Sequence, residues 1–284
     1  MIQNACNALY SAKKQKQNRL TFYSTTISED SKERVSISSA LRQALNQEEF
    51  FLCYQPQVDF RSGAILGVEA LIRWRDSELG LISPPRFIPI AEETGLITDI
   101  TGWVLNRACE FSQKWAAAQN VEMSVNVSTR DFLSGNLPRM VEETLMRTGL
   151  EPRLLKLEIT ENLALRNETE IIRMLENLKK IGIKIAIDDF GTGYSSFRYL
   201  KDFPIDTIKI DKSFVNNIPN KHGDVSIIKS IIQLAHNLGV NVVAEGVENQ
   251  EQYTCLRDFG CDILQGYYAY KPLEPVEMGQ LISR

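Results

Sequence analysis

The run KIAIDDFGTGYSS at residues 184–196 leads from an apolar, β-branched stretch into two adjacent carboxylates, Asp188 and Asp189, and then into a turn through Gly191 and Gly193. An isoleucine-rich stretch closed by turn residues reads as a buried strand, which puts the two acids at its C-terminal end. Neighbouring carboxylates repel, and the pair costs stability unless positive charge neutralises it. A hard divalent cation held by oxygen ligands is the usual neutraliser. Asp and Gly are also ordinary turn formers, so one Asp-Asp pair does not separate a cation site from a solvated turn. Recurrence does, because several other strand-like runs also end in an acid or an amide.

The ends of those runs carry Glu69, Asn126, Glu158, Asp188 with Asp189, Lys209 with Asp211, Glu245 with Glu248, and Gln265. Nearly all offer oxygen and none offers a thiol or imidazole, which favours magnesium or manganese over zinc. More acids converge than one cation requires. A two-metal site of this kind suits displacement at phosphorus, where it clamps both the attacking water and the leaving oxygen.

Taken singly, each residue has a plainer role. Glu69 could lie on the polar face of an exposed strand, and Asn126 could be a strand-end hydrogen bonder. Glu158 and Glu161, in LEITEN, could cap the following helix, and Glu245 and Glu248 could flank a turn at Gly246. Lys209 is harder to place that way, because it sits between Ile208 and Ile210 and alternation turns it to one face of its strand. A lysine inside an apolar barrel would be costly, whereas beside several carboxylates it is compensated. Arg73 follows Glu69 by four residues, so both share one side, where a guanidinium suits two oxygens of a phosphate. A surface arginine stacked near Trp74 is the alternative. The Gly-Thr-Gly at 191–193 lacks the spacing of nucleotide-binding loops and reads better as a tight loop carrying Asp189 into the site.

Gathering these residues requires a particular order of elements. Residues 50–60 and 63–75 read as two strands joined by hairpin chemistry at Arg61, Ser62 and Gly63. Helices at 85–93 and 98–119 then precede a strand at 122–127, and a helix at 130–147 precedes one at 154–159. A helix at 168–181 leads to the strand at 184–188, and a short helix at 195–200 to the strand at 207–211. Helices at 224–238 and 250–259 lead to strands at 241–244 and 263–266, and a last helix begins at Pro275. Alternation of this length predicts an α/β protein with a parallel sheet. About eight strands predict a modified TIM (β/α)8 barrel, in which the opening hairpin supplies one antiparallel strand. The C-terminal strand ends of such a barrel share one face, where active sites lie. Upstream, residues 1–24 read as an amphipathic helix with Ala5, Ala8, Leu9 and Ala12 on one face. Residues 25–36 read as a polar linker or the approach to a helix at 38–46.

Bulk properties narrow the function. The 284 residues carry 32 Lys and Arg against 36 Asp and Glu, a formal net charge of −4. That balance argues against a broad nucleic-acid surface. No apolar run reaches membrane-spanning length and the N-terminus lacks a signal peptide's apolar core, so the expected compartment is the cytoplasm. Five cysteines, never spaced Cys-x-x-Cys, suggest neither a disulfide framework nor a zinc site, and two histidines leave little scope for imidazole chemistry.

From about Val35 to the C-terminus the motifs resemble the EAL family of cyclic di-GMP phosphodiesterases. The signature stands as EALIRW at 69–74, with YQPQVD at 54–59, NVS at 126–128, LEITE at 157–161 and DDFGTGYSS at 188–196. KIDKSFV at 209–215, AEGVE at 244–248 and QGYYAYKPL at 265–273 follow in order. The resemblance implies an EAL domain over 37–284 and two divalent cations, magnesium or manganese, that activate a water to open cyclic di-GMP to linear pGpG. It implies Glu69, Asn126, Glu158, Asp188, Asp189 and Glu245 as metal ligands, and Lys209 as the residue that orients or deprotonates the water. Gln265 would be a positioner, Gln55, Arg73 and Asp211 substrate contacts, and Glu161 and Glu248 supports of the site and of the loop after the Asp pair. Homodimerisation is also implied.

Within residues 1–24, NALYSAKKQKQNRLTFY resembles the closing segment of a GGDEF (diguanylate cyclase-like) domain, which implies an upstream GGDEF domain in a longer tandem protein. A catalytically silent cyclic di-GMP receptor on the same fold is the alternative function. Such receptors typically lack several ligands that are all present here. Without the resemblance, strand-end acids with a lysine would also suit proton abstraction beside a carboxylate, but that chemistry usually needs a capping domain, and no segment here is long enough to form one.

Overall fold

The computed structural model describes residues 25–164, 168–192 and 200–283. The expected helices at 1–24 and 195–200, the GGDEF-like segment and Gly193 lie outside them. The chain divides into a larger unit, Leu52–Ile72 with Ile97–Arg284, and a smaller one, Met1–Phe51 with Arg73–Leu96.

The larger unit is organised by strands β1 (Phe50–Asp59), β2 (Ile65–Asp76), β4 (Glu122–Val127), β5 (Leu155–Thr160), β6 (Lys184–Phe190), β7 (Thr207–Ile210), β8 (Asn241–Glu245) and β9 (Ile263–Gln265). They pair in the order β1-β9-β8-β7-β6-β5-β4-β2, and a further β1–β2 pairing closes the ring. Pairings from β2 through β9 are parallel. Strand β1 runs antiparallel to β9, with Val58 opposite Leu264. The result is an eight-stranded α/β barrel with one antiparallel strand.

Helices on its outside follow apolar periodicity. In α7 (Glu168–Ile181), Ile171, Leu175 and Leu178 are buried, and in α9 (His222–Asn237), Ile228, Ile231, Ile232 and Ala235 are buried. Each set recurs at spacings of three and four, so one stripe faces the sheet. Burial of these stripes against Val- and Ile-rich strands supplies the main stabilisation, at about 25 cal/mol per Å² of apolar surface.

In the smaller unit, helix α1 (Thr25–Ala44) buries Ile37, Leu41 and Ala44. Strand β3 (Gly80–Ile82) pairs antiparallel with the end of β2, and α2 (Pro84–Thr94) follows. Phe50, Trp74 and Phe87 pack with ring centroids 5.5 to 5.8 Å apart, and Trp74 Nε1 donates to Glu49 Oε2 at 3.0 Å.

Several boundaries differ from the sequence reading. The helix expected at 38–46 begins at Thr25 and takes in the segment read as a linker or as the approach to that helix. Its polar composition is compatible with a helix that turns only one face inward. The helix expected at 130–147 is two helices, α4 (Thr129–Leu133) and α5 (Leu137–Thr148). Gly135 takes a left-handed φ of 74° between them, and Pro138 sits in the first turn of α5, where its missing N–H costs nothing. The short strand β3 and the single-turn helix α8 (Lys212–Val215) were not foreseen. Among the described residues, no helix is long and apolar enough to cross a membrane.

Candidate active site

Alternation along parallel strands sends Glu69, Glu158 and Lys209 inward. In the sheet register Glu69 lies opposite Ser124, Asn126 opposite Glu158, Thr160 opposite Asp188, and Glu245 opposite Gln265. The C-terminal strand ends are thereby brought together around one ammonium. Lys209 is 1% exposed, and its Nζ lies 3.1 Å from Glu69, 2.7 Å from Glu245 and 3.3 Å from Asp188, with Glu158 Oε2 in direct contact.

Amides fix the carboxylates in turn. Asn126 Nδ2 donates to Glu69 Oε1 at 2.6 Å, and Gln265 Nε2 donates to Glu69 Oε2 at 2.6 Å and to Gln55 Oε1 at 3.2 Å. Gln55 Nε2 donates onward to the Tyr270 carbonyl at 3.2 Å.

Asp189 reaches the cluster by a departure from strand geometry. Adjacent strand residues point to opposite faces. Between Ile187 and Phe190, however, the β6–β7 register shifts, and Asp189 adopts a φ of 54°. Such a bulge re-aims a side chain. Asp188, Asp189 and Glu245 consequently hold carboxylate oxygens that all lie within 4.8 Å of one another.

The electrostatics follow from packing several acids around one buried cation. Burial pulls the Lys209 pKa down, but Asp188, Glu158, Glu245 and Glu69 outweigh it and hold the ammonium well above its ordinary value. Burial also raises Glu69, yet the Lys209 charge and the hydrogen bonds from Gln265, Lys209 and Asn126 bring it below the usual glutamate range. Glu158 is pushed up to about 8, by burial first and then by the charge of Glu69. Burial, with Asp188 and Asp211, lifts Asp189 to about 6. Glu245 is also raised well above its ordinary value, chiefly by burial.

These acids are short of positive partners. Glu158 Oε1 and Asp188 Oδ1 are buried without a hydrogen bond, and Lys209 Nζ at 3.3 Å is a near charge for Asp188 Oδ1 rather than a bonded donor. Orphaned carboxylate oxygens beside an all-oxygen donor set fit a hard divalent cation, and its charge would reverse the upward pKa shifts.

Glu161 is 1% exposed, and its Oε2 accepts from the Gly191 N–H at 2.9 Å, at the exit of β6. Asp211 caps α8 by accepting from the Ser213 N–H at 3.0 Å. Glu248 is exposed and stands outside the hydrogen-bonded cluster; its backbone N–H is taken by Gln252 Oε1 at 2.8 Å. Arg73 is half-buried on the part of β2 that belongs to the smaller unit.

Residues 38–272 match the EAL domain family, a span that includes every strand end described above. The chain belongs to the EAL-domain family. Phosphodiesterases of the family depend on divalent metal, and the carboxylates described above form a candidate acidic metal site. Pseudomonas aeruginosa MucR, named a bifunctional diguanylate cyclase/cyclic di-GMP phosphodiesterase, is 40% identical over 272 residues, covering 95% of this chain and 40% of MucR. NbdA of the same organism, named a cyclic di-GMP phosphodiesterase, is 37% identical over 275 residues, covering 96% of this chain and 35% of its own. The present chain therefore spans less than half the length of either relative. The solved MucR phosphodiesterase in complex with c-di-GMP aligns with a TM-score of 0.83 at 40% identity, covering 86% of this EAL chain and 99% of that one.

Among the buried polar residues that the sequence reading did not single out, Gln57 is the one bonded to Gln265 in this EAL barrel. Gln57 Nε2 donates to Gln265 Oε1 at 2.9 Å. Its signal was present, since Gln57 lies two residues after Gln55 and shares its face of β1.

Proposed function

We propose that this chain hydrolyses cyclic di-GMP to linear pGpG with bound divalent cations. The observation that carries the reading is the buried Lys209 ammonium ringed by Glu69, Glu158, Asp188 and Glu245 at the C-terminal end of an EAL barrel. In the reading, Glu69, Asn126, Glu158, Asp188, Asp189 and Glu245 hold two ions, magnesium or manganese. The number of oxygen ligands supports two, since it exceeds what one ion needs. Bound there, such ions acidify water and neutralise the charge that develops on the phosphoryl oxygens.

The chain's own groups do the rest. Lys209 substitutes for missing positive charge in the cation-free protein, and beside the substrate its Nζ orients the attacking water. Gln265 and Asn126 hold the two oxygens of Glu69 apart and aimed. Glu161 restrains the backbone just after Asp189 through Gly191, and the support role of Glu248 rests on the family resemblance alone, since its side chain is exposed. Gln55, Arg73 and Asp211 contact the substrate. Water oxygen bonds to phosphorus, the P–O3′ bond breaks, and the 3′ oxygen takes up a proton, leaving the terminal phosphate of pGpG on its 5′ side.

The same reading makes residues 37–284 the catalytic domain, acting as a homodimer in the cytoplasm behind an upstream GGDEF domain. MucR, named for both activities, supports only the pairing with a cyclase domain. The test is incubation of the purified chain with cyclic di-GMP and magnesium, manganese, calcium or EDTA, with pGpG followed by chromatography. Product with magnesium or manganese and none with EDTA is expected. Tight binding without product under any metal would make the chain a receptor.

A further inference from the structure

We propose that Gln57 is a positioning residue for the cation site, acting through Gln265 to hold the Glu69 carboxylate in a single orientation. The proposal deepens the phosphodiesterase reading and rests on it for its effect on turnover, while its effect on cation binding can be read without substrate.

An ionised carboxylate only accepts hydrogen bonds, so Gln265 must turn its NH2 toward Glu69, as it does at 2.6 Å. That leaves Gln265 Oε1 on the opposite side, where it needs a donor. Gln57 Nε2 supplies one at 2.9 Å. Gln57, Gln265 and Glu69 are all buried, so solvent does not stand in for any of them.

Gln57 adopts this orientation at a cost. Its own Oε1 is buried without a hydrogen-bond partner, so the desolvation of that oxygen goes uncompensated. That oxygen projects over Gly67, where an added Cβ would lie 2.7 Å away. A side chain at position 67 would crowd the amide, and glycine leaves the space in which Gln57 stays pointed at Gln265. Without the Gln57 donor, Gln265 Oε1 is left buried and unpaired, and only the acceptors on its NH2 side, Glu69 and Gln55, hold the amide in this orientation. In the flipped one, a carbonyl oxygen would face Glu69 Oε2 and repel it.

The test compares Gln57→Met, Gln57→Glu, Gln265→Met and the double variant Gln57→Met/Gln265→Met in the full chain. Mn²⁺ binding is measured by paramagnetic resonance without substrate, alongside kcat and the Mn²⁺ concentration for half-maximal rate. Gln57→Met should weaken Mn²⁺ binding about 10-fold, the usual scale for losing a group that orients a ligand. Gln57→Glu, which keeps the shape, should weaken it further, because the new carboxylate draws the Gln265 NH2 away from Glu69. The double variant should bind Mn²⁺ no more weakly than Gln265→Met alone, since Gln57 then has nothing to act on. A purely structural role would instead lower melting temperature and leave Mn²⁺ affinity unchanged. Unchanged affinity in folded Gln57 variants, additive losses in the double variant, or no Mn²⁺ binding by the unmodified chain would each overturn the proposal. Coupled Mn²⁺ losses in a chain that fails to hydrolyse cyclic di-GMP would sustain this inference and sink the phosphodiesterase reading.

Discussion

Replacing Lys209 with methionine removes a charge while nearly keeping length and shape, and the structure lets the consequence be worked out. In the cation-free protein, burial holds Glu158 and Glu245 toward their protonated forms, and the ammonium keeps Glu69 low. Without it, Glu69 remains buried with two amide donors and no cation, and breaking a buried pair in this way costs about 3–5 kcal/mol. Protonation caps the cost. Taking a carboxyl of ordinary pKa 4.5 to its neutral form at pH 7 costs about 3.4 kcal/mol, and at pH 5 about 0.7. Relief from burying the ammonium offsets part of this. Lys209→Met should therefore be less stable than the parent by up to about 3 kcal/mol in urea denaturation at pH 7 with EDTA. The deficit should shrink as the pH falls toward 5. Mn²⁺ should stabilise the variant more than the parent, because it no longer competes with an ammonium for the carboxylates; at 100 times Kd the linkage is worth about 2.7 kcal/mol. Turnover should still fall by about 10²–10⁴ if Lys209 serves the attacking water. Equal or greater stability than the parent at pH 7 in EDTA, or a deficit that does not shrink on acidification, would refute the electrostatic account.

Other outcomes follow from the same geometry. Glu69→Ala or Asp188→Asn should abolish pGpG formation with circular dichroism unchanged, and parent-like rates from either would dismiss the site assignment. Gly266→Ala places a Cβ 2.2 Å from the Val247 carbonyl oxygen and 2.4 Å from its nitrogen. Backbone cannot give way as a side-chain tip can, so melting should fall by the equivalent of about 1–3 kcal/mol, with turnover reduced because Gln265 moves; a parent-like melt and rate would contradict this. Lys156, buried near the start of β5, holds Glu122 at 2.6 Å while Lys184 contacts its other oxygen. Burial raises Glu122, but the two lysines bring it below 4.5. A depressed folded-state pKa contributes stability above the unfolded value, and that stability disappears as pH falls through the folded one. Lys156→Met should thus cost about 3 kcal/mol near neutral pH, and denaturation curves should converge with the parent's below pH 4.5.

The fold was legible wherever the sequence was periodic. Alternation in TIKI turned Lys209 to one face of its strand and in EALIRW put Glu69 and Arg73 on one side, and stripes such as Ile171, Leu175 and Leu178 marked the outer helices. Where periodicity was weak the reading slipped. Polar residues 25–36 read either as a linker or as the approach to a helix, and they belong to that helix, while one helix was drawn across Gly135.

Sequence alone determined the barrel class, the hard-oxygen donor set and the strand ends that carry it, because each rests on local spacing or composition. Tertiary structure decided the rest. Strict alternation turns Asp189 away from Asp188, and only the bulge against β7 brings both into one cluster. Gln57 and Gln265 are 208 residues apart, and no local pattern reveals which amide donates to which. The raised carboxyls of Glu158 and Glu245 depend on how completely water is excluded and which charges crowd them, properties that exist only once the strands have closed into a ring.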